Sequence, residues 1–78
     1  MNVLKEAYEN LRMAIVKRAA DDYRIALKTL KRRPKDINSL GTKMECERFF
    51  REDIGAYSDL DGEMIIKGVR ERVERENE

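Results

Sequence analysis

At 78 residues the chain has room for one small core, burying only roughly 60 to 65% of the surface its unfolded form exposes. Charged residues make up 42% and hydrophobic residues 41%, with a net charge of +1, and because the apolar residues are patterned the composition is that of a globular domain and not of a disordered chain. The complete lack of histidine removes the commonest general base, the Ser-His-Asp and Cys-His nucleophile systems and the usual zinc ligand sets.

The first thirty-three residues contain neither glycine nor proline, and they predict one helix over roughly 2–32, about 45 Å long at 1.5 Å per residue. Leu4, Tyr8, Leu11, Ile15, Ala19, Tyr23, Ala26 and Leu30 recur every three or four positions and form an apolar stripe. Lys28, Lys31, Arg32 and Arg33 near the end complement the helix dipole, and Pro34 prevents continuation. Asp21-Asp22 is the alternative break point, since neither aspartate favours a helix interior.

A second helix follows at roughly 37–53, capped by Asp36, with Ile37, Leu40, Met44, Cys46, Phe49 and Phe50 as its apolar face. A start at Thr42, with Glu45 completing a capping box, would shorten it by a turn. Gly41 weakens this helix by about 1 kcal/mol relative to alanine, and close packing against the first helix is the expected reason for it. Adjacent Phe49 and Phe50 point about 100° apart on a helix, so burying both requires cover on two sides, from the first and third helices. The pattern breaks around residues 54–58, and Ser58, Asp59 or Asp61 can cap a third helix at roughly 60–75. Met64, Ile65, Val69 and Val73 are its inward positions, and Glu63–Lys67 and Glu71–Arg75 are favourable i,i+4 pairs. Glu76-Asn77-Glu78 is expected to fray. The expected fold is all-α, a single domain over 1–78 in which one long N-terminal helix packs against two shorter ones.

Helix lengths make one region of special interest. A second helix of about 17 residues spans about 25 Å and, folding back from Pro34, covers only the C-terminal half of the first. Unless the third helix covers the remainder, Val3, Leu4, Tyr8 and Leu11 are left for another chain, and Leu4, Tyr8 and Leu11 are therefore the candidate apolar partner-binding residues. Phe49 or Phe50, if exposed, would be a further anchor.

Charge is divided along the chain. Residues 1–35 hold ten basic and four acidic side chains, net +6, whereas residues 36–78 hold seven basic and twelve acidic, net −5. The two regions either face each other in the fold or dock a partner of opposite sign. Arg24, Lys28, Lys31, Arg32, Arg33 and Lys35 carry six positive charges with no acid between them, and Arg24, Lys28, Lys31 and Lys35 lie along one helical face. Such a stripe suits a phosphate backbone or an acidic protein.

Other chemistry finds little support. The isolated glycines at 41, 55, 62 and 68 form no phosphate loop. Asp59-Leu60-Asp61-Gly62-Glu63 lacks calcium-loop spacing, because Gly68 stands where the loop needs its glutamate. Cys46 lies between Glu45 and Glu47, whose charges disfavour a thiolate, and as the lone cysteine it forms no internal disulfide. No run is long and apolar enough to span a bilayer, and the N-terminus lacks a signal-peptide block. A cytoplasmic location is expected, with no cofactor, no metal and no membrane association.

Glu47-Arg48-Phe49-Phe50-Arg51, Asp61-Gly62-Glu63 and Ala19-Ala20-Asp21-Asp22-Tyr23-Arg24 followed by Ala26-Leu27 resemble small uncharacterised proteins encoded by prophages and mobile elements of Gram-positive gut bacteria. The similarity covers roughly residues 14–73. Those relatives carry a tryptophan shortly after the paired phenylalanines, where this chain has Ile54-Gly55. The resemblance implies an accessory phage-type protein, a class that includes inhibitors of host systems, and supplies no catalytic residues. The leading expectation is a non-enzymatic helical protein that binds another protein, including a second copy of itself as a homodimer. The alternative is a small nucleic-acid-binding regulator that uses the basic cluster at 24–35.

Overall fold

The structure, a computed structural model, describes residues 3–76; the expected helix start at residue 2 and the fraying of Asn77 and Glu78 lie outside them. Three α-helices, α1 (Val3–Arg32), α2 (Ile37–Arg48) and α3 (Gly62–Arg75), are joined by a short turn and by a helical connection, with no strand among the described residues. The long helix is continuous through Asp21-Asp22. Pro34 follows its end, and the Asp36 carboxylate accepts a 3.0 Å hydrogen bond from the Ser39 backbone N–H to start α2 at Ile37, five residues before the alternative start at Thr42. Hydrogen bonding from Ser39 holds that carboxyl below the usual carboxylate range. Of the three candidate caps for α3 it is Asp61 that accepts from the Glu63 N–H, at 3.0 Å.

From Arg48 the chain continues as a π-helical turn over Phe49–Asp53 and a 3₁₀ turn over Ile54–Ala56. This irregular stretch has a packing reason. Cys46, Phe50 and Ile54 recur every four residues, and in a regular α-helix each such step drifts roughly 40° around the axis. A wider π turn reduces the drift, and all three side chains stay buried. Phe50 sits edge-to-face against Tyr23 and against Phe49, with centroids 5.9 and 5.5 Å apart. Phe49 is only half-buried and leans on Tyr57, so the two phenylalanines share one aromatic cluster, which Phe50 joins to α1 through Tyr23.

The core is Val16, Tyr23, Cys46, Phe50, Ile54 and Ile66, with Ala19, Ala20, Leu27, Ile65 and Val69 packed on its edge. Two expected faces are corrected. On α2 the outward residues are Ile37, Leu40 and Met44, while Ser39, Lys43, Cys46 and Phe50, spaced by four, three and four, turn inward. On α3 Met64 is exposed and Ile66 is buried in its stead. Gly62 accounts for the second shift, because its backbone lies so close to the Phe50 carbonyl that a Cβ would overlap it. That contact sets the phase of α3, and Gly62, Ile66, Val69 and Val73 follow it toward the core. Glu63 pairs with Arg51 across elements, at 2.7 Å, and not with Lys67 as expected.

The expected packing role of Gly41 is also corrected, since nothing lies within 4 Å of a Cβ built there. Gly41→Ala should therefore stabilise the fold by up to about 1 kcal/mol through helix propensity. Gly62→Ala should destabilise it by about 1–3 kcal/mol through overpacking against backbone. Urea denaturation of both variants checks the opposite signs.

Candidate functional site

Tyr23 on α1, Glu47 on α2 and Arg70 on α3 meet at one point. The Tyr23 hydroxyl donates to Glu47 Oε2 at 2.7 Å, Arg70 Nη2 donates to the same oxygen at 2.7 Å, and Arg70 Nε donates to the Tyr23 hydroxyl at 3.0 Å. Lys43 Nζ, one turn before Glu47, lies 3.3 Å from Oε2, and Arg51, one turn after, lies 3.8 Å from Oε1. Glu47 is 8% exposed, the one charged residue buried among those described. Burial pushes its carboxyl up, yet hydrogen bonds from Tyr23, Arg70 and Lys43 outweigh that and bring it down to about 2. Burial and the hydrogen bond to Glu47 push the Tyr23 phenol up to about 12, against the opposing effect of Arg70.

The consequence is chemical quiescence. Glu47 stays ionised and Tyr23 protonated throughout the neutral range, so neither is poised to exchange a proton there. Cys46 is equally inert, its thiol pushed up to about 11 by burial and by the nearby carboxylates of Asp22, Glu45 and Glu47. The network is a clamp joining three helices. Sequence patterning overlooked Glu47 and Arg70, although each interrupts an apolar row, Glu47 next to Cys46 and Arg70 next to Val69.

The basic cluster is divided by the fold. Arg24 Nη2 donates to Glu76 Oε2 at 2.6 Å, and Lys31 Nζ donates to the carbonyls of Val73 and Glu76 at 2.7 and 2.9 Å, capping the C-terminus of α3. Arg24 holds Glu76 below the usual carboxylate range, with smaller contributions from Lys28 and Arg72. Lys28, Arg32 and Arg33 line a shallow depression beside Arg24 with Ile25 and Thr29, and Lys35 lies exposed beyond Pro34. Arg24 and Lys31 thus serve the fold, and the even stripe of positive charge is interrupted.

The apolar candidates lie at the opposite end. Arg70 meets Tyr23 and Glu76 meets Arg24, so α3 runs in the same direction as α1 along its C-terminal half. The α2 run extends further, ending where Arg12 Nη2 donates to the Ala56 carbonyl at 3.0 Å. Neither covers the first turns of α1, and Leu4, Tyr8 and Leu11 are 83%, 65% and 60% exposed. At the foot of this arm Tyr8, Leu11, Arg12, Ile15, Ala56 and Tyr57 line a groove. Among the described residues no helix is long and apolar enough to cross a membrane, and no group of three or more acidic or cysteine side chains is placed to hold a metal ion. Comparison with protein-family models, curated proteins and solved structures returns no match.

The clamp makes stability depend on pH at both extremes. Glu47 is held below its unfolded value near 4.5, so its contribution is complete above that pH and is lost as pH falls toward 2, on the order of 3 kcal/mol. Tyr23 is held above its unfolded value of 10.0, so its contribution is complete below pH 10 and is lost as pH rises toward 12. Tyr23→Phe should cost about 1–2 kcal/mol, return Glu47 toward ordinary carboxylate titration and narrow the acid-stable range. Carboxyl NMR titration together with thermal melts at pH 3 and pH 7 checks all three outcomes.

Proposed function

We propose that this chain is a non-enzymatic interaction protein that binds another polypeptide through the exposed N-terminal turns of α1. The observation that supports it is the row Leu4, Tyr8 and Leu11, apolar side chains one helical turn apart that are exposed among the described residues. A monomeric soluble protein seldom leaves a contiguous apolar helix face in water, and such faces mark contact sites. Tyr8 supplies an aromatic anchor of the kind that dominates binding energy.

The titratable groups drawn into the core support a non-catalytic role, since Glu47, Tyr23 and Cys46 all hold a fixed protonation state at neutral pH. The resemblance of residues 14–73 to prophage-encoded proteins favours a phage-type accessory factor that acts by occupying a surface of its target, with inhibition of a host system as the corresponding outcome. Nucleic-acid binding is the weaker reading, because Arg24 and Lys31 are engaged by the end of α3.

The test is co-purification from native host extract in which tagged and untagged copies are produced together. A polypeptide, foreign or its own, should accompany the unaltered chain and be lost with Leu4→Glu/Leu11→Glu, whose sites are exposed and contribute nothing to the core. If no polypeptide accompanies the unaltered chain, or if the double variant retains it, the reading is wrong.

A further inference from the structure

We infer that the occupant of the α1 arm is a second copy of this chain, paired antiparallel about a two-fold axis so that each arm tip lies against the groove at the foot of the other arm. The inference rests on the reading of the arm as a binding surface and adds the identity of what it binds.

The chain exposes 6153 Å², whereas a compact monomer of 9.2 kDa exposes about 4,900 Å². Its radius of gyration is 14.1 Å with extents of 49 × 22 × 18 Å, against about 11.5 Å for a compact domain of this length. The excess of about 1,200 Å² is more than the roughly 800 Å² that each partner buries in a standard stable interface. Pairing through the arm turns the most extended part of a small, thin-cored domain into buried surface.

The arm's apolar row faces a different direction from the main core contacts. Along the covered part of α1 the core side is marked by Val16, Ala19, Ala20, Tyr23 and Leu27. Carried back toward the N-terminus at 100° per residue, that side falls on Arg12, Glu9 and Lys5. Leu4, Tyr8, Leu11 and Ile15 lie roughly a quarter turn away. The arm row therefore leaves the line of the main core contacts and keeps the four-three-four spacing of helix pairing, and it meets the body only further along, where Ile15 enters the groove with Ala56 and Tyr57 and where Ala26, five turns beyond Tyr8, is buried.

Charge balance along the arm and the position of the groove select the same chain and the antiparallel sense. Lys5 and Arg12 offset Glu6 and Glu9 along the arm, and the whole chain carries only +1, so two copies do not repel. Antiparallel alignment sets Tyr8 against the second Leu11 and Leu4 against the second Ile15. Ile15 lies in the groove with Ala56 and Tyr57, so each tip fills a groove that a parallel arrangement leaves open. A two-fold pair satisfies both seams at once with the same patch.

Sedimentation equilibrium of the full chain at about 100 μM should give twice the 9.2 kDa chain mass, and Leu4→Glu/Leu11→Glu should halve it with the far-ultraviolet helix signal of the covered helices kept. Ala56→Arg, in the groove and outside the arm, should also halve it. The melting temperature of the unaltered chain should rise with concentration across about 2–200 μM, a readout that needs no variant. A monomeric mass with a concentration-independent melt overturns the inference, and a foreign polypeptide lost with the arm variant would then leave the broader reading standing. A dimer that survives the arm variant overturns both the seam and the pairing, and one that survives only Ala56→Arg overturns the tip-to-groove arrangement.

Discussion

A carboxylate taken out of water must be met by donors from every side, and Glu47 imposes that requirement on all three helices. Its two oxygens sit within reach of Tyr23, Arg70, Lys43 and Arg51. Tyr23 arrives from α1 and Arg70 from α3, while Lys43 and Arg51 stand one turn before and after Glu47. Buried ion pairs contribute little net stability relative to apolar replacements, because desolvation offsets the attraction, but leaving one half unpaired is costly. The clamp therefore also selects which helix faces meet. Rotating α2 to bury Ile37, Leu40 and Met44 would carry the Glu47 environment with it and abandon the donors. The aliphatic row stays in solvent while the row containing Ser39 and Lys43 faces inward.

A second constraint is steric and acts on α3. The Gly62 backbone against the Phe50 carbonyl leaves no room for a side chain, so the helix begins at one position only, immediately after the Asp61 cap. Ile66 and Val73 are then carried to the core and Arg70 to the edge where Glu47 and Tyr23 wait. The close approach and the polar clamp select the same phase, one through excluded volume and the other through charge. The aromatic group of Tyr23, Phe50 and Phe49 lies between them.

These constraints operate from Arg12 onward and leave the first turns of α1 outside the body. The body uses the C-terminal half of α1 as its spine, and two of the basic residues at that end hold down α3. The other end projects, apolar on one side and charged on the side that continues the core. Folding thus draws on one length of the helix and the proposed contact on the other, so that a change in the arm leaves the clamp intact.

Much of the architecture was legible in the residues. An uninterrupted run ended by Pro34 and the cap at Asp36 pointed to three helices, and a second helix too short to cover α1 singled out Leu4, Tyr8 and Leu11, because stop signals, capping and rise per residue are local properties; that α3 leaves them exposed, and that Asp61 rather than Ser58 or Asp59 caps it, came from the tertiary structure. Which side of α2 and α3 faces inward was decided only by the tertiary structure. Two rows spaced by three and four compete on α2, and hydrophobicity alone favours Ile37, Leu40 and Met44 over the row that contains Ser39 and Lys43. The choice depends on Glu47 meeting Tyr23, 24 residues away, and Arg70, 23 residues away, and on Gly62 meeting Phe50. No local period encodes such meetings, because the energy that selects them exists only once the helices are already side by side.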